Sequence, residues 1–109
     1  MIDWDRVREL RSEIGPEDFA EVAAMFLEEA DETVARMSAR AGAKAIESDL
    51  HFLKGSALNL GFRQLSALCQ DGEQRAAAGD TAVDLAAVRI CYFASRTEFQ
   101  NKLDRHFAA

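Results

Sequence analysis

The chain has 109 residues, of which 49% are hydrophobic and 29% are charged, which suits a single folded domain over residues 1–109 and excludes intrinsic disorder. Its formal net charge is -6, from 13 basic and 19 acidic residues, and without a basic run it is not expected to bind nucleic acid. No apolar stretch approaches the roughly 20 residues of a membrane helix, and the opening residues MIDWD lack the features of a signal peptide, so we expect a cytoplasmic protein.

The first half of the chain predicts two helices that meet at Gly15-Pro16. Apolar residues at helical spacing predict a short helix from Asp3 to about Ile14, with Asp3 as its N-cap. A longer amphipathic helix should begin at Pro16, because proline suits the first helical turn, and continue to about Met37.

Glycines divide the second half into further helices. Apolar residues recur every three to four positions from Ala45 onwards, and Gly61 fits the C-cap of this third helix. A fourth helix should begin at Phe62 or Arg63, with Leu68 among its inward residues, and end in the alanine-rich stretch before Gly79.

A last helix is predicted from Asp80 to about Phe107, with Thr81 and Asp84 forming a capping box at its start. No segment alternates in the manner of a strand. The expected fold is therefore all-α, an antiparallel four-helix bundle with a short additional N-terminal helix. One such bundle can bury all of these stripes, so we expect a monomer.

One histidine stands out by its position and its neighbours. At about 100° per residue, His51 points roughly 140° away from the buried stripe of the third helix and so faces solvent. Lys54, Gly55 and Leu58 share its face. A neutral imidazole is nucleophilic near neutral pH, an ammonium stabilises phosphoryl oxygens, and a mid-helix glycine leaves space beside the ring.

Other sources of chemistry are missing from the sequence. There is no Gly-rich phosphate loop, and neither Cys69 nor Cys91 belongs to a metal-ligand set. We expect no cofactor or metal, and we interpret both cysteines as core thiols. His106 lacks comparable neighbours and is predicted to be an exposed residue without a role.

The segment HFLKGSALNLG, from His51 to Gly61, resembles the signature of histidine phosphotransfer (HPt) domains. The likeness continues through the leucine and cysteine of FRQLSALC to Glu73 in the next helix. It implies a four-helix bundle without a kinase or ATP-binding site, phosphorylation of His51, support of the phosphoryl group by Lys54, and steric access through Gly55.

The same resemblance implies a cellular role and a set of partners. Such a domain relays a phosphoryl group between aspartates of response-regulator receiver domains in two-component signalling, and a hybrid sensor histidine kinase is a further candidate partner.

One departure from the family is Gly72, which stands where an apolar residue usually precedes the glutamate. This glycine predicts weaker packing of the fourth helix and bears on the role of Glu73.

Apolar residues around His51 would give a receiver domain a surface for docking. We expect Leu58 and Phe62 to take part, with Leu10 and Ile14 of the first helix extending the surface. Two alternatives stay open. The first is a helical adaptor that binds a receiver or kinase domain without chemistry. The second is a phosphoacceptor module linked to a kinase.

Overall fold

The computed structural model describes residues 2–107, which fold almost entirely into helices. The helices are α1 (Trp4–Ile14), α2 (Pro16–Arg36), α3 (Ala43–Leu60), α4 (Arg63–Ala77) and α5 (Leu85–Phe107), with a short 3-10 helix at Ala39–Ala41 between α2 and α3. Residues 2–107 contain no strand beyond an isolated bridge between Ile2 and Phe62. The predicted all-α class is confirmed.

The ends of α1 and α3 follow the predicted caps. The Asp3 carboxylate accepts a hydrogen bond from the Arg6 backbone N–H (3.2 Å) at the start of α1. Gly61 ends α3 with a left-handed φ of 73°. A Cβ there would lie 2.5 Å from the Asp3 carbonyl oxygen, so this position needs glycine both for its conformation and for the close approach of the N-terminal segment.

The start of α5 differs from the prediction. The helix begins at Leu85 instead of Asp80. The Asp80 carboxylate accepts from the Ala82 N–H (2.7 Å) in a local turn, and the Asp84 carboxylate accepts from the Ala87 N–H (3.0 Å). Asp84 is therefore the cap of α5, and the capping box led by Thr81 does not form, because aspartate competes for backbone donors outside helices.

Helix α3 occupies the centre of the fold and contacts α1, α2 and α4, while α4 also packs on α5. Polar side chains join α5 to α2. The Tyr92 hydroxyl donates to the Leu27 carbonyl oxygen (3.1 Å), and Arg96 Nε lies 3.2 Å from Asp31 Oδ1. The largest fully buried side chains, which form the core between the helices, include Tyr92, Phe62, Phe99, Ile46, Leu50 and Leu53.

Gly72 does not weaken α4, contrary to the expectation from the family pattern. The helix is continuous through this buried glycine. A Cβ there would lie 2.7 Å from Leu50 Cδ1 and 3.0 Å from Val83 Cγ1, so the missing side chain lets α4 approach both neighbours. Glycine here is a packing feature that an apolar residue would crowd.

None of the helices within residues 2–107 has the combination of length and hydropathy that crossing a membrane requires.

Candidate functional site

His51 lies on the outer face of α3, and 70% of its side chain is exposed. One side of the ring is held by α4, because His51 Nδ1 lies 2.7 Å from Glu73 Oε1. The other ring nitrogen has no partner among the described residues. The imidazole is therefore oriented through Nδ1 and exposed at Nε2.

Lys54, one turn after His51, joins the same group. Its ammonium lies 2.7 Å from Glu73 Oε2 and donates to Gln70 Oε1 at 2.9 Å. The Lys54 and Glu73 side chains are only 20% and 18% exposed, which reduces the screening of this ion pair by solvent. Glu73 thus bridges His51 and Lys54, two of the α3 residues that the sequence singles out.

The protonation of Glu73 decides how this group works. The hydrogen bond from Lys54 lowers the pKa of Glu73, His51 acts in the same direction, and burial opposes them. An ionised carboxylate only accepts hydrogen bonds, so the contact requires a proton on His51 Nδ1. In the neutral ring the lone pair then resides on Nε2, the nitrogen that faces solvent.

Gly55 leaves open space on the face of α3 that carries His51. A Cβ at this position would meet nothing within 4 Å. The Gly55 carbonyl accepts from Asn59 Nδ2 (3.0 Å), and Asn59 Oδ1 accepts from Arg6 of α1 (3.1 Å). Helix α1 is therefore connected by side chains to the residue beside the site.

Two open cavities flank the site. A cavity of about 420 Å³ is lined by Lys44, Glu47, Ser48, His51 and Glu73. The second cavity, of about 350 Å³, is lined by Lys54, Leu58, Ser66, Ala67 and Gln70. The first cavity offers room for a bulky group at the exposed imidazole, and the second lies beside Lys54.

The four residues predicted to dock a partner separate into two groups. Leu58 is 56% exposed and Ile14 is half-buried. Phe62 is 1% exposed and Leu10 is also buried, so the prediction that their side chains meet a partner is wrong. The physical reason at Phe62 is the left-handed turn at Gly61, which directs the ring inward to Phe99 (5.6 Å between ring centroids).

Other candidate chemistry is sparse. Within residues 2–107, no three His, Cys, Asp or Glu side chains are grouped so that they could hold a metal ion. Cys69 is fully buried, and burial raises the pKa of its thiol to about 12. The thiol is therefore unreactive, as expected for a core cysteine.

Sequence reasoning did not place Gln70 and Glu73 at the site, although a signal for both is present. Helices α3 and α4 form a hairpin around Phe62. His51 and Glu73 each lie eleven positions from Phe62, and Lys54 and Gln70 each lie eight positions from it. In a close-packed antiparallel hairpin, residues equidistant from the turn face each other, so these pairs could have been predicted.

Among the comparisons with known proteins, the one with protein families finds a match. The family model described as Hpt domain matches residues 21–109, which is most of the chain and includes His51, Lys54, Gly55, Gln70 and Glu73. No curated protein matches the chain. No solved structure matches it. Because the match extends over far more than half of its length, the chain belongs to the Hpt domain family.

Proposed function

We propose that this protein is a cytoplasmic histidine phosphotransfer protein, which accepts a phosphoryl group on His51 and passes it to an aspartate of a response-regulator receiver domain. Residues 1–109 would form its single domain, with α2 to α5 as the antiparallel four-helix bundle and α1 as the additional helix. Family membership supports the general role, and the site geometry supports the choice of residue.

The observation that carries the proposal is the contact between His51 Nδ1 and Glu73. It holds the ring in one orientation and favours the tautomer with a free lone pair on the exposed nitrogen. A nucleophile needs that lone pair, and a hydrogen-bonded base oriented by a carboxylate is a common solution to this requirement.

In the proposed reaction, the Nε2 lone pair attacks the phosphorus of an aspartyl phosphate on the partner. The N–P bond forms while the P–O bond to the aspartate breaks, and the aspartate leaves as a carboxylate. The ring gains positive charge and keeps its Nδ1 proton, which Glu73 accepts in a hydrogen bond. Onward transfer is the reverse step with a second receiver aspartate.

The remaining residues lower the activation barrier of this phosphoryl transfer. Lys54 keeps Glu73 ionised and places positive charge near the phosphoryl group, since most catalysis of phosphoryl transfer is positioning and charge neutralisation. Gly55 leaves space for the partner's aspartate to approach. Leu58 and Ile14, with the exposed Phe52, are the apolar side chains we propose for docking.

The test is incubation with a receiver domain that carries labelled phosphate. We expect acid-labile, base-stable label on the wild-type chain and none on His51→Gln. The control is His106→Gln, because His106 stacks on Trp4 (3.9 Å between ring centroids) instead of facing a cavity. This second variant should be labelled like the wild type.

The alternatives give different results in the same experiment. A helical adaptor would bind the receiver and stay unlabelled. A kinase-linked acceptor would be labelled by a histidine kinase with ATP and not by phosphorylated receivers. Label that survives in His51→Gln would place the phosphoryl group elsewhere and refute the proposal.

A further inference from the structure

The cavity of about 420 Å³ beside His51 is lined by three residues of α3 that take no part in the contacts of Glu73: Lys44, Glu47 and Ser48. His51 and Glu73 complete its lining. The other cavity at the site, beside Lys54, is not lined by His51. The exposed imidazole therefore faces the cavity that lies towards the start of α3.

The geometry of an α-helix explains this orientation. Each Cα–Cβ bond tilts towards the N-terminus of the helix, so the His51 ring lies over the turn that precedes it. At about 100° per residue, Lys44, Glu47 and Ser48 all lie within about 60° of His51 around the axis of α3. A phosphoryl group on Nε2 would therefore enter the cavity above these three residues.

Lys54, the cation predicted to support the phosphoryl group, lines the other cavity. Its ammonium is shared between Glu73 Oε2 (2.7 Å) and Gln70 Oε1 (2.9 Å). Because the charges of Lys54 and Glu73 balance, this pair and a neutral His51 ring carry no net charge. The charge of an added phosphoryl group is therefore not compensated by Lys54 alone.

The cavity beside His51 needs a further cation if it holds a phosphoryl group. Such a group carries about -1.5 to -2 charge at pH 7, and Glu47 and Glu73 already bring acidic groups to the cavity. Lys44 is the basic residue that lines it. Lys44 is exposed, and within residues 2–107 its ammonium has no carboxylate partner, so it is available to an incoming anion.

Lys44 is close enough to reach a phosphoryl group on His51. The two residues are seven positions apart, which is about 10 Å along the axis of α3. The imidazole leans towards Lys44, and the flexible four-carbon stem of the lysine spans the remaining distance. Ser48 is exposed between them, and its hydroxyl is a hydrogen-bond donor.

We propose that Lys44 and Ser48 form a phosphoryl-binding subsite, which holds the phosphoryl group after its transfer to His51. This inference rests on the proposed phosphotransfer and adds two residues to it. The Lys44 ammonium and the Ser48 hydroxyl donate to the phosphoryl oxygens, while Lys54 holds Glu73 against the ring. Glu47 repels the phosphoryl group and so limits the stability of the phosphorylated state, which favours onward transfer.

The test is a competition between two chains for a limited amount of phosphate. Equal amounts of the wild type and a variant, distinguished by a mass tag, are mixed with a receiver domain that carries labelled phosphate. The receiver exchanges the phosphoryl group between the chains until the ratio of label becomes constant. That ratio depends on the stabilities of the two phosphorylated chains and not on how fast either chain docks.

The wild type should carry about three- to tenfold more label than Lys44→Gln, as expected for a hydrogen bond between charged groups near the surface. Ser48→Ala should also carry less label than the wild type, and Glu47→Gln should carry more. Lys44→Arg keeps the positive charge and should share the label about equally. The matched control is Lys102→Gln, because Lys102 pairs with Glu98 on α5 and lines neither cavity.

Equal label on the wild type and Lys44→Gln would overturn the subsite and leave the phosphotransfer intact. A loss of label in Lys102→Gln as large as that in Lys44→Gln would also overturn it, because net charge alone would then explain both. A receiver that labels none of the chains would overturn both proposals. Lys44 is exposed, so its variants should retain their helices, and circular dichroism checks this.

Discussion

At the scale of single residues, Glu73 joins the two residues of α3 to which we assign the phosphotransfer chemistry. Its two oxygens contact His51 Nδ1 and the Lys54 ammonium, each at 2.7 Å. Glu73→Gln keeps the shape and removes the charge, so we expect phosphoryl acceptance from a receiver to slow by about tenfold or more, as is typical when a group that orients a reactive residue is lost. Glu28→Gln, on the exposed surface of α2, is the control and should transfer at the wild-type rate.

The ionisation of Glu73 also predicts a pH dependence of stability. The pKa of Glu73 is lowered in the folded chain, chiefly by the hydrogen bond from Lys54. A lowered pKa means that the ionised form stabilises the fold above the unfolded-state value, and that this contribution is lost as pH falls through the folded-state value.

The free energy of unfolding should therefore differ between the wild type and Glu73→Gln at pH 7, by no more than about 1 kcal/mol for a partly exposed pair. The difference should shrink below about pH 4, near the ordinary pKa of glutamate. Urea unfolding of both chains at pH 7 and pH 3 measures it. A difference that is unchanged at pH 3 would contradict the assigned ion pair.

At the scale of helices, two glycines inside helices predict opposite effects of the same substitution. Gly55→Ala places a methyl in open space, so it should stabilise α3 by about 0.5–1 kcal/mol through helix propensity. The same methyl beside the site should slow transfer, because it narrows the approach to His51.

Gly72→Ala should instead destabilise the chain by about 1 kcal/mol, because crowding of the core outweighs the gain in propensity. The new Cβ would lie 2.7 Å from Leu50 Cδ1, and Leu50 is fully buried. Thermal unfolding of the two variants and of the wild type shows whether each substitution stabilises or destabilises the chain. Stabilisation by both alanines would mean that the Leu50 and Val83 side chains can move aside without an energetic cost, and would contradict the predicted crowding.

The sequence predicted most of the helices because glycine and proline mark their ends, as Gly15-Pro16 and Gly61 do. It failed where tertiary packing decides the outcome. Phe62 is buried by the left-handed turn at Gly61, and Leu68 is apolar and is 36% exposed. For the candidate site, His51, Lys54 and Gly55 were predicted from one helix. Glu73 needed the pairing of α3 with α4, which periodicity within a single helix does not contain.

At the scale of the whole molecule, α1 is part of the core although it lies outside the residues matched to the family. Val7 and Leu10 are buried, and Trp4 stacks on Phe99 of α5 (5.9 Å between ring centroids). The helix is further held by a hydrogen bond from the Asp3 N–H to the Gly61 carbonyl (2.7 Å). We conclude that α1 stabilises the turn between α3 and α4, and thereby the alignment of these two helices that brings His51 and Glu73 together.

Two leucines separate this structural role from docking. Leu10→Ala should lower the free energy of unfolding by about 2–5 kcal/mol, as for a buried leucine in a packed core. Leu58→Ala removes an exposed side chain and should change it by less than about 0.5 kcal/mol, while slowing transfer from a receiver at low concentration. Urea unfolding and single-turnover transfer measure the two effects. Equal losses of stability would contradict the assigned burial of Leu10.

In the proposed mechanism, Glu73 directs the chemistry of His51 to Nε2. Nitrogen-15 NMR of the histidine rings, recorded before and after phosphorylation, tests it most directly. We predict that the neutral form of the His51 ring carries its proton on Nδ1 in the free chain, and that phosphorus is bonded to Nε2 in the phosphorylated chain. A proton on Nε2 of the neutral ring in the free chain, phosphorus on Nδ1, or an unchanged His51 ring in the labelled protein would contradict the role assigned to Glu73.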